Sequence, residues 1–268
     1  MLLEHARNVN SQNGEDGIIA RIFEVIGTES RECCEFGAWD GIHFSNTRAL
    51  LDDGWGGVQI EADPERFKQL EELYRDRDDV FTVNALVGTG GGGLRALLEQ
   101  HGAPLDLDLL SVDIDGYDYD VLESLGLTPR VVCVEVNAGH DPESRAAVPS
   151  QIAANNVGQP LGRFVELAGR LGYRLVGYSG NALFLRDDVG HEDELPTVAP
   201  AEAYDEFIRS LGSDQRAWLY RVNLGLAPPH HRFGNKRLSR RALGLDLVPA
   251  ASALVSGAGS RLSGRRGR

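Results

Sequence analysis

Cys33-Cys34-Glu35-Phe36-Gly37-Ala38-Trp39-Asp40-Gly41, then Ser45-Asn46-Thr47, then Gly57-Val58-Gln59-Ile60-Glu61-Ala62-Asp63, is the stretch that decides the fold. A short apolar strand runs into an acid-and-glycine turn, and a helix follows. A second apolar strand then ends on a carboxylate about twenty residues later. That order is the nucleotide half of a doubly wound α/β sheet, whose ligands sit outside the carboxyl ends of the strands. Glycines let the backbone approach a ligand, and a carboxylate ending the second strand can accept hydrogen bonds from ribose hydroxyls. A dinucleotide turn reads Gly-x-Gly-x-x-Gly, its middle glycine leaving room for a pyrophosphate. Trp39 stands at that middle position and would fill the room. Glu35-x-Gly37-x-x-x-Gly41 instead suits a nucleoside cofactor without phosphates and with a cationic amino-acid end, S-adenosylmethionine.

Outward from this stretch the strands and helices alternate. Ile18, Ile19, Ile22, Phe23 and Ile26 recur at helical spacing, with Asn13 as the expected cap, Glu15 and Asp16 in the first turn and Gly27 as the stop. Strand one is expected at 32–36, a helix from Asn46 to Asp52, and strand two from Val58 to Glu61. Asp63-Pro64-Glu65 starts a helix, with Asp63 as cap and Phe67, Leu70 and Leu73 facing inward. Strands three, four and five are read at 80–84, 109–113 and 131–136. The last two are short apolar runs that end on acids, as buried parallel strands do. A helix over 161–171 leads to 173–178, Gly180-Asn181 and 182–185, a hairpin that closes the sheet. The expected fold is a mostly parallel doubly wound sheet with one antiparallel edge strand from that C-terminal hairpin. Gly88 to Gly93 is a loop; without a strand directly before it or Lys-Ser/Thr after it, it does not read as a phosphate loop. Residues 201–222 read as one or two outer helices. The core then spans 10–187 within a single domain of 1–250, with a helical extension from 188 and a basic tail over 251–268.

The chain has 268 residues, ample for a single core, and a net charge of −13 that argues against a nucleic-acid partner. Arg261-Leu262-Ser263-Gly264-Arg265-Arg266-Gly267-Arg268 reverses the sign and reads as a solvated tail. Cys33, Cys34 and Cys133 lie in apolar runs with no Cys-x-x-Cys pair, so they read as buried thiols in a reducing compartment. No apolar run has the length of a membrane span, and the N-terminus lacks a signal-peptide core, which makes a cytoplasmic location the expectation.

Polar residues end every expected strand: Asp40 and Asn46 after strand one, Glu61 at two, Asn84 at three, Asp113 and Asp115 at four, Glu135 and Asn137 at five. In a parallel sheet these ends converge on one crevice. Asp113 and Asp115 fall two apart, as do Glu135 and Asn137. Asp113, Glu135 and Asn137 offer hard oxygen donors suited to Mg²⁺. The alternative is that Asp113 orients cofactor or substrate and Glu135 ties a backbone turn. His140, just past strand five, is placed to take a proton from a substrate hydroxyl as the methyl moves, with Asp115 as the other candidate acceptor. His43 and His230-His231 are lesser candidates. Trp39, Trp55, Trp218, Tyr117 and Tyr119 could offer flat surfaces to a sugar or aromatic ring, Trp55 reading as core.

Ser11-Gln12-Asn13-Gly14-Glu15-Asp16, the Glu35–Gly41 turn, Ser45-Asn46-Thr47, Gly54-Trp55-x-Gly57-Val58-x-Ile60-Glu61-x-Asp63 and Asp113-Ile114-Asp115-Gly116-Tyr117-Asp118 together resemble the FkbM-like class I methyltransferases. Phe164-Val165-x-Leu167, Gly172-Tyr173-x-Leu175-Val176-Gly177 and Asn181-Ala182-x-Phe184 extend the resemblance over about 10–187. It implies a Rossmann-like fold and an S-adenosylmethionine site. Gln12, Glu35, Gly37, Asp40 and Asn46 would line the methionine end, Glu61 would hold the ribose, and Asp63 or Asn84-Ala85 would lie near the adenine. The chain departs from the commonest family pattern at Asp113-Ile114-Asp115-Gly116, which leaves open which aspartate would bind a metal. The expectation is an O-methyltransferase acting on a saccharide or glycosylated metabolite, with a small-molecule or oligosaccharide acceptor and a second copy of the chain as candidate partners. An NAD(P)-dependent short-chain-type oxidoreductase is the other enzyme reading, opposed by the missing Gly-x-Gly-x-x-Gly and Tyr-x-x-x-Lys. A non-catalytic binding module is the third.

Overall fold

The computed structural model describes residues 2–86, 93–114, 116–148, 158–213, 215 and 216. After a 3-10 turn at Leu2–His5 the order is α1 (Glu15–Ile26), β1 (Glu32–Phe36), α2 (Arg48–Asp52), β2 (Gly56–Glu61), α3 (Pro64–Tyr74) and β3 (Val80–Asn84). There follow α4 (Gly93–His101), β4 (Leu109–Val112), α5 (Asp118–Glu123), β5 (Val131–Glu135), α6 (Leu161–Arg170), β6 (Tyr173–Tyr178), β7 (Asn181–Arg186) and α7 (Pro200–Ser210). Seven strands form one sheet in the order β3-β2-β1-β4-β5-β7-β6. β1 to β5 pair in parallel, and β7 runs antiparallel to both β5 and β6. The expected mostly parallel, doubly wound sheet is thus the observed one. The hairpin folds so that its second strand takes the place beside β5, and β6 becomes the edge.

Strand alternation explains why helices cover both faces. Cys33, Leu109, Val131 and Cys133 point to the face packed by α1, α2 and α3, through Ile18, Ile22, Leu51 and Leu70. Their neighbours Cys34, Leu110, Val132 and Val134 point to the face packed by α4, α5, α6 and α7, through Leu98, Leu122, Phe164 and Phe207. Two buried faces favour strands that are apolar at nearly every position, which is why β4, Ser111 apart, and β5 read as short apolar runs. Trp55 is core, 3% exposed and edge-on to Phe23 at 4.9 Å.

Helix starts differ from one another in mechanism. Asp63 caps α3 as expected, accepting from the Glu65 and Arg66 amides at 2.9 Å each, with Pro64 in the first turn. Asn13 does not cap α1: the residue before that helix is Gly14, in the left-handed region at φ 92°, with no side-chain cap. The Asn13 amide instead donates to Glu15 Oε2 at 2.7 Å. Glu15 and Asp16 stand in the first turn of α1 as expected, and both are buried. Asp16 Oδ2 gathers the Val9, Asn10 and Ser11 amides at 2.8, 2.9 and 2.7 Å, and Glu15 Oε1 accepts from the Ser179 hydroxyl at 2.9 Å. These bonds bring the 8–14 segment and the β6–β7 turn to the carboxyl end of the sheet.

Helices α4 and α5, not foreseen as elements, complete the crossovers to β4 and β5. Of the expected outer helices over 201–222, α7 accounts for Pro200–Ser210. The 88–93 loop apart from Gly93, Asp115, Trp218, His230-His231 and the basic tail lie outside the described residues. Among the described residues no helix is long and apolar enough to cross a membrane.

Candidate functional site

The turn after β1 is wedged between two strand ends. Gly37 (φ 74°) and Ala38 both donate their amides to the Ile60 carbonyl of β2, at 3.1 Å each. On its other side a Cβ at Gly37 would stand 1.9 Å from the Asp113 carbonyl oxygen. A position with positive φ and backbone in that place admits only glycine. The Gly41 site (φ 76°) is closed by α3, where a Cβ would come within 2.8 Å of Leu70 and Leu73. Between these glycines Trp39 also takes positive φ, 52°, and remains 44% exposed.

Beneath the turn, Glu35 is buried at 3% exposure and accepts three hydrogen bonds: Ser45 Oγ at 2.5 Å, the Asn46 amide at 2.7 Å and Thr47 Oγ1 at 2.7 Å. Burial raises its pKa against the opposing pull of those donors, and the nearby Asp113 charge raises it further. Asn46 completes the tie by donating to Ser111 Oγ of β4 at 3.0 Å. Ser45-Asn46-Thr47 is therefore an anchor for the start of α2. Asp40 accepts from the Ile42 and His43 amides at 3.0 and 2.9 Å and meets His43 Nδ1 at 2.6 Å. Burial would raise the Asp40 pKa, but these bonds outweigh it and hold the carboxyl below its ordinary value.

Glu61, at the end of β2, turns its carboxylate back over the same turn. One oxygen accepts the Trp39 amide at 2.8 Å and the other the Asp63 amide at 2.7 Å. Asn84 donates to the Glu61 carbonyl at 2.8 Å and the Ala62 carbonyl at 3.3 Å, locking the exits of β2 and β3 together. Ala85 follows directly, and Gln12 lies half-buried in the segment held by Asp16.

At β4 the Asp113 amide bonds the Phe36 carbonyl at 3.2 Å, so the ends of β1 and β4 are joined. Asp118, at the start of α5, is buried and accepts from the Ile114 and Gly116 amides at 2.9 Å each. Burial, with the Asp113 charge second, pushes the Asp118 carboxyl up to about 7. Asp118 was legible in sequence only as the last letter of the Asp113–Asp118 run; nothing there distinguished a buried turn-holder from a surface acid.

Past β5, Asn137 Oδ1 accepts the Gly139 amide at 2.7 Å, and the His140 amide bonds the Asn137 carbonyl at 3.3 Å. Tyr204 of α7 donates to the Ala138 carbonyl at 2.9 Å and pins this loop to the sheet. Glu135 stands opposite Asn181 of β7. Among the described residues no group of three or more His, Cys, Asp or Glu side chains could hold an ion. Asp113 and Glu135 stand at the ends of the adjacent strands β4 and β5, and the Asn137 amide oxygen accepts a bond within its own loop.

No family model matches this chain. No curated protein matches it either. Solved structures of similar shape include monomeric WbdD, 16% identical, with 68% of this chain and 42% of that one covered and a TM-score of 0.43. A TehB-like SAM-dependent methyltransferase from Corynebacterium glutamicum is 14% identical over 69% of this chain and 92% of that one, TM-score 0.41. The CurJ carbon methyltransferase is 9% identical over 65% and 53%, TM-score 0.45. This chain thus spans about half the length of two of the three. Likeness at this level carries nothing about reaction or acceptor.

Proposed function

We propose that the protein is an S-adenosylmethionine-dependent O-methyltransferase whose acceptor is a hydroxyl of a saccharide or glycosylated metabolite. The observation that carries the reading is the carboxylate of Glu61, fixed by two backbone amides over the Gly37–Gly41 turn that carries Trp39. A fixed carboxylate there suits a ribose diol, and a turn with tryptophan in place of the middle glycine suits a cofactor without a pyrophosphate. The resemblance to FkbM-like enzymes supports the same cofactor. When bound, S-adenosylmethionine supplies an electrophilic sulfonium methyl group.

The chain's own part is positioning. Asp40, Asn46 and Gln12 face the methionine end in this reading, Glu61 the ribose, and Asp63, Asn84 and Ala85 the adenine side. Asp113 would orient the two substrates at the junction of β1 and β4. Together these residues would hold the acceptor hydroxyl facing the methyl group that the cofactor would supply. Near-attack geometry at about 3 Å is the main source of rate. The hydroxyl proton passes to His140, with Asp115 as the second candidate.

Thermal shift with S-adenosylhomocysteine and with NAD tests the cofactor. A rise in melting temperature with S-adenosylhomocysteine alone is expected; no rise would sink the reading, and a rise with NAD alone would favour the oxidoreductase. Labelled cofactor and a panel of sugars and phenols then identifies the acceptor class.

A further inference from the structure

Glu61 owes its orientation to a contact that costs the backbone something. Trp39 adopts φ 52°, a conformation uncommon for a bulky side chain and found mostly where surrounding structure enforces it. In that conformation its amide points at Glu61 Oε2, 2.8 Å away. The Arg66 guanidinium lies 4.7 Å from the centre of the indole ring. Arg66 belongs to the first turn of α3, whose cap Asp63 gives its own amide to the other Glu61 oxygen at 2.7 Å. Turn, carboxylate, cap and guanidinium thus close a ring of contacts: Trp39 to Glu61, Glu61 to Asp63, Asp63 to Arg66, Arg66 to Trp39.

We infer that Trp39 and Arg66 are positioning residues that hold the Glu61 carboxylate for the ribose diol, an inference that rests on the cofactor reading above. The indole is the handle and the guanidinium the weight on it. The stack keeps residue 39 in the left-handed conformation, and that conformation keeps the amide on Glu61. The ring does not have to touch the cofactor. Its side chain matters because a residue with nothing to stack would let the turn relax and the carboxylate swing.

The test compares S-adenosylhomocysteine with its analogue lacking the ribose 2′- and 3′-hydroxyls, by calorimetry and thermal shift, on wild type, Arg66→Ala and Trp39→Gly. Arg66→Ala should weaken S-adenosylhomocysteine about two- to fivefold, the range of an exposed cation–π contact. Trp39→Gly should weaken it by about tenfold, since glycine frees the turn to turn its amide away. Neither should change affinity for the analogue, and the ligand-free melting temperature of Trp39→Gly should not fall, because glycine takes this φ without strain. A purely structural role would instead lower both affinities together, and that result, or unchanged binding of S-adenosylhomocysteine, overturns the inference. Arg66 is exposed, so its variant keeps the test open if Trp39→Gly folds poorly. A wild-type protein that binds neither ligand removes the cofactor reading and this inference with it, whereas failure in the variants alone removes only the inference.

Discussion

Single carboxyl groups carry most of the local design, and they differ by what surrounds them. Glu35 gathers two hydroxyls and an amide in a buried place. Glu35→Ala would leave those donors unmet, so a loss of about 3 kcal/mol is expected, read as a fall in the denaturant midpoint. Asp118 behaves differently because burial has pushed its carboxyl up to about 7. Its ordinary value, which the unfolded chain keeps, is near 4. Between those two values the native state holds a proton that the unfolded state has lost, so this group's stabilising contribution, complete below about pH 4, disappears as pH rises through 7. Asp118→Asn mimics the protonated side chain. Its melting temperature relative to wild type should therefore climb from pH 5 to pH 8, by roughly 5 °C for about 2 kcal/mol, on top of any constant offset. A difference that stays flat across that range would show that Asp118 titrates normally. Both residues were visible in the sequence, Glu35 at a strand end and Asp118 in the Asp113–Asp118 run. Their burial and partners were not, because each depends on where another segment arrives.

Among the elements, the two ends of the sheet have separate duties. At the carboxyl end the β1 turn, the β2 exit and the β4 exit interlock through Gly37, Glu61 and Asp113. At the amino end Asp108, fully buried, accepts the Glu29 and Arg31 amides at 2.9 and 2.8 Å and pairs with Arg130 at 2.8 Å. Arg130 in turn donates to the Gly27 and Ile26 carbonyls at 2.9 and 3.0 Å, so α1 is stapled to β4 and β5. Removing one partner of a buried pair strands the other charge. Asp108→Ala should cost about 3 kcal/mol or more while S-adenosylhomocysteine affinity, measured below the new melting point, stays within twofold of wild type, roughly the spread expected between distant sites. A parallel loss of affinity would show that the two ends are coupled. Strand positions were readable because each strand is a local apolar run. Helices α4 and α5 escaped notice because α5 is one and a half turns long and α4 follows a glycine-rich stretch.

Over the whole molecule, the two-faced core sets which groups can react. Cys33, Cys34 and Cys133 lie in β1 and β5 with no exposed surface, and burial raises the Cys33 and Cys34 thiols above their ordinary pKa. Thiolate is the reactive form, so the native protein should not react with a disulfide reagent at pH 8 over minutes, and three thiols should appear on unfolding. A thiol that reacts in the native state would mean that the core opens on that timescale. The amino-acid order by itself determined the alternation of strands and helices, the doubly wound class, and the polar residue at each strand end, because these follow from periods of two and 3.6 read over a few residues. Tertiary structure alone decided what those polar residues do. The Asn46–Ser111 bond spans 65 positions and the Ser179–Glu15 bond 164, and no local pattern encodes a partner so distant. The same holds for Trp39: the sequence showed a ring where a glycine was expected, and folding made of it the backbone amide that aims Glu61.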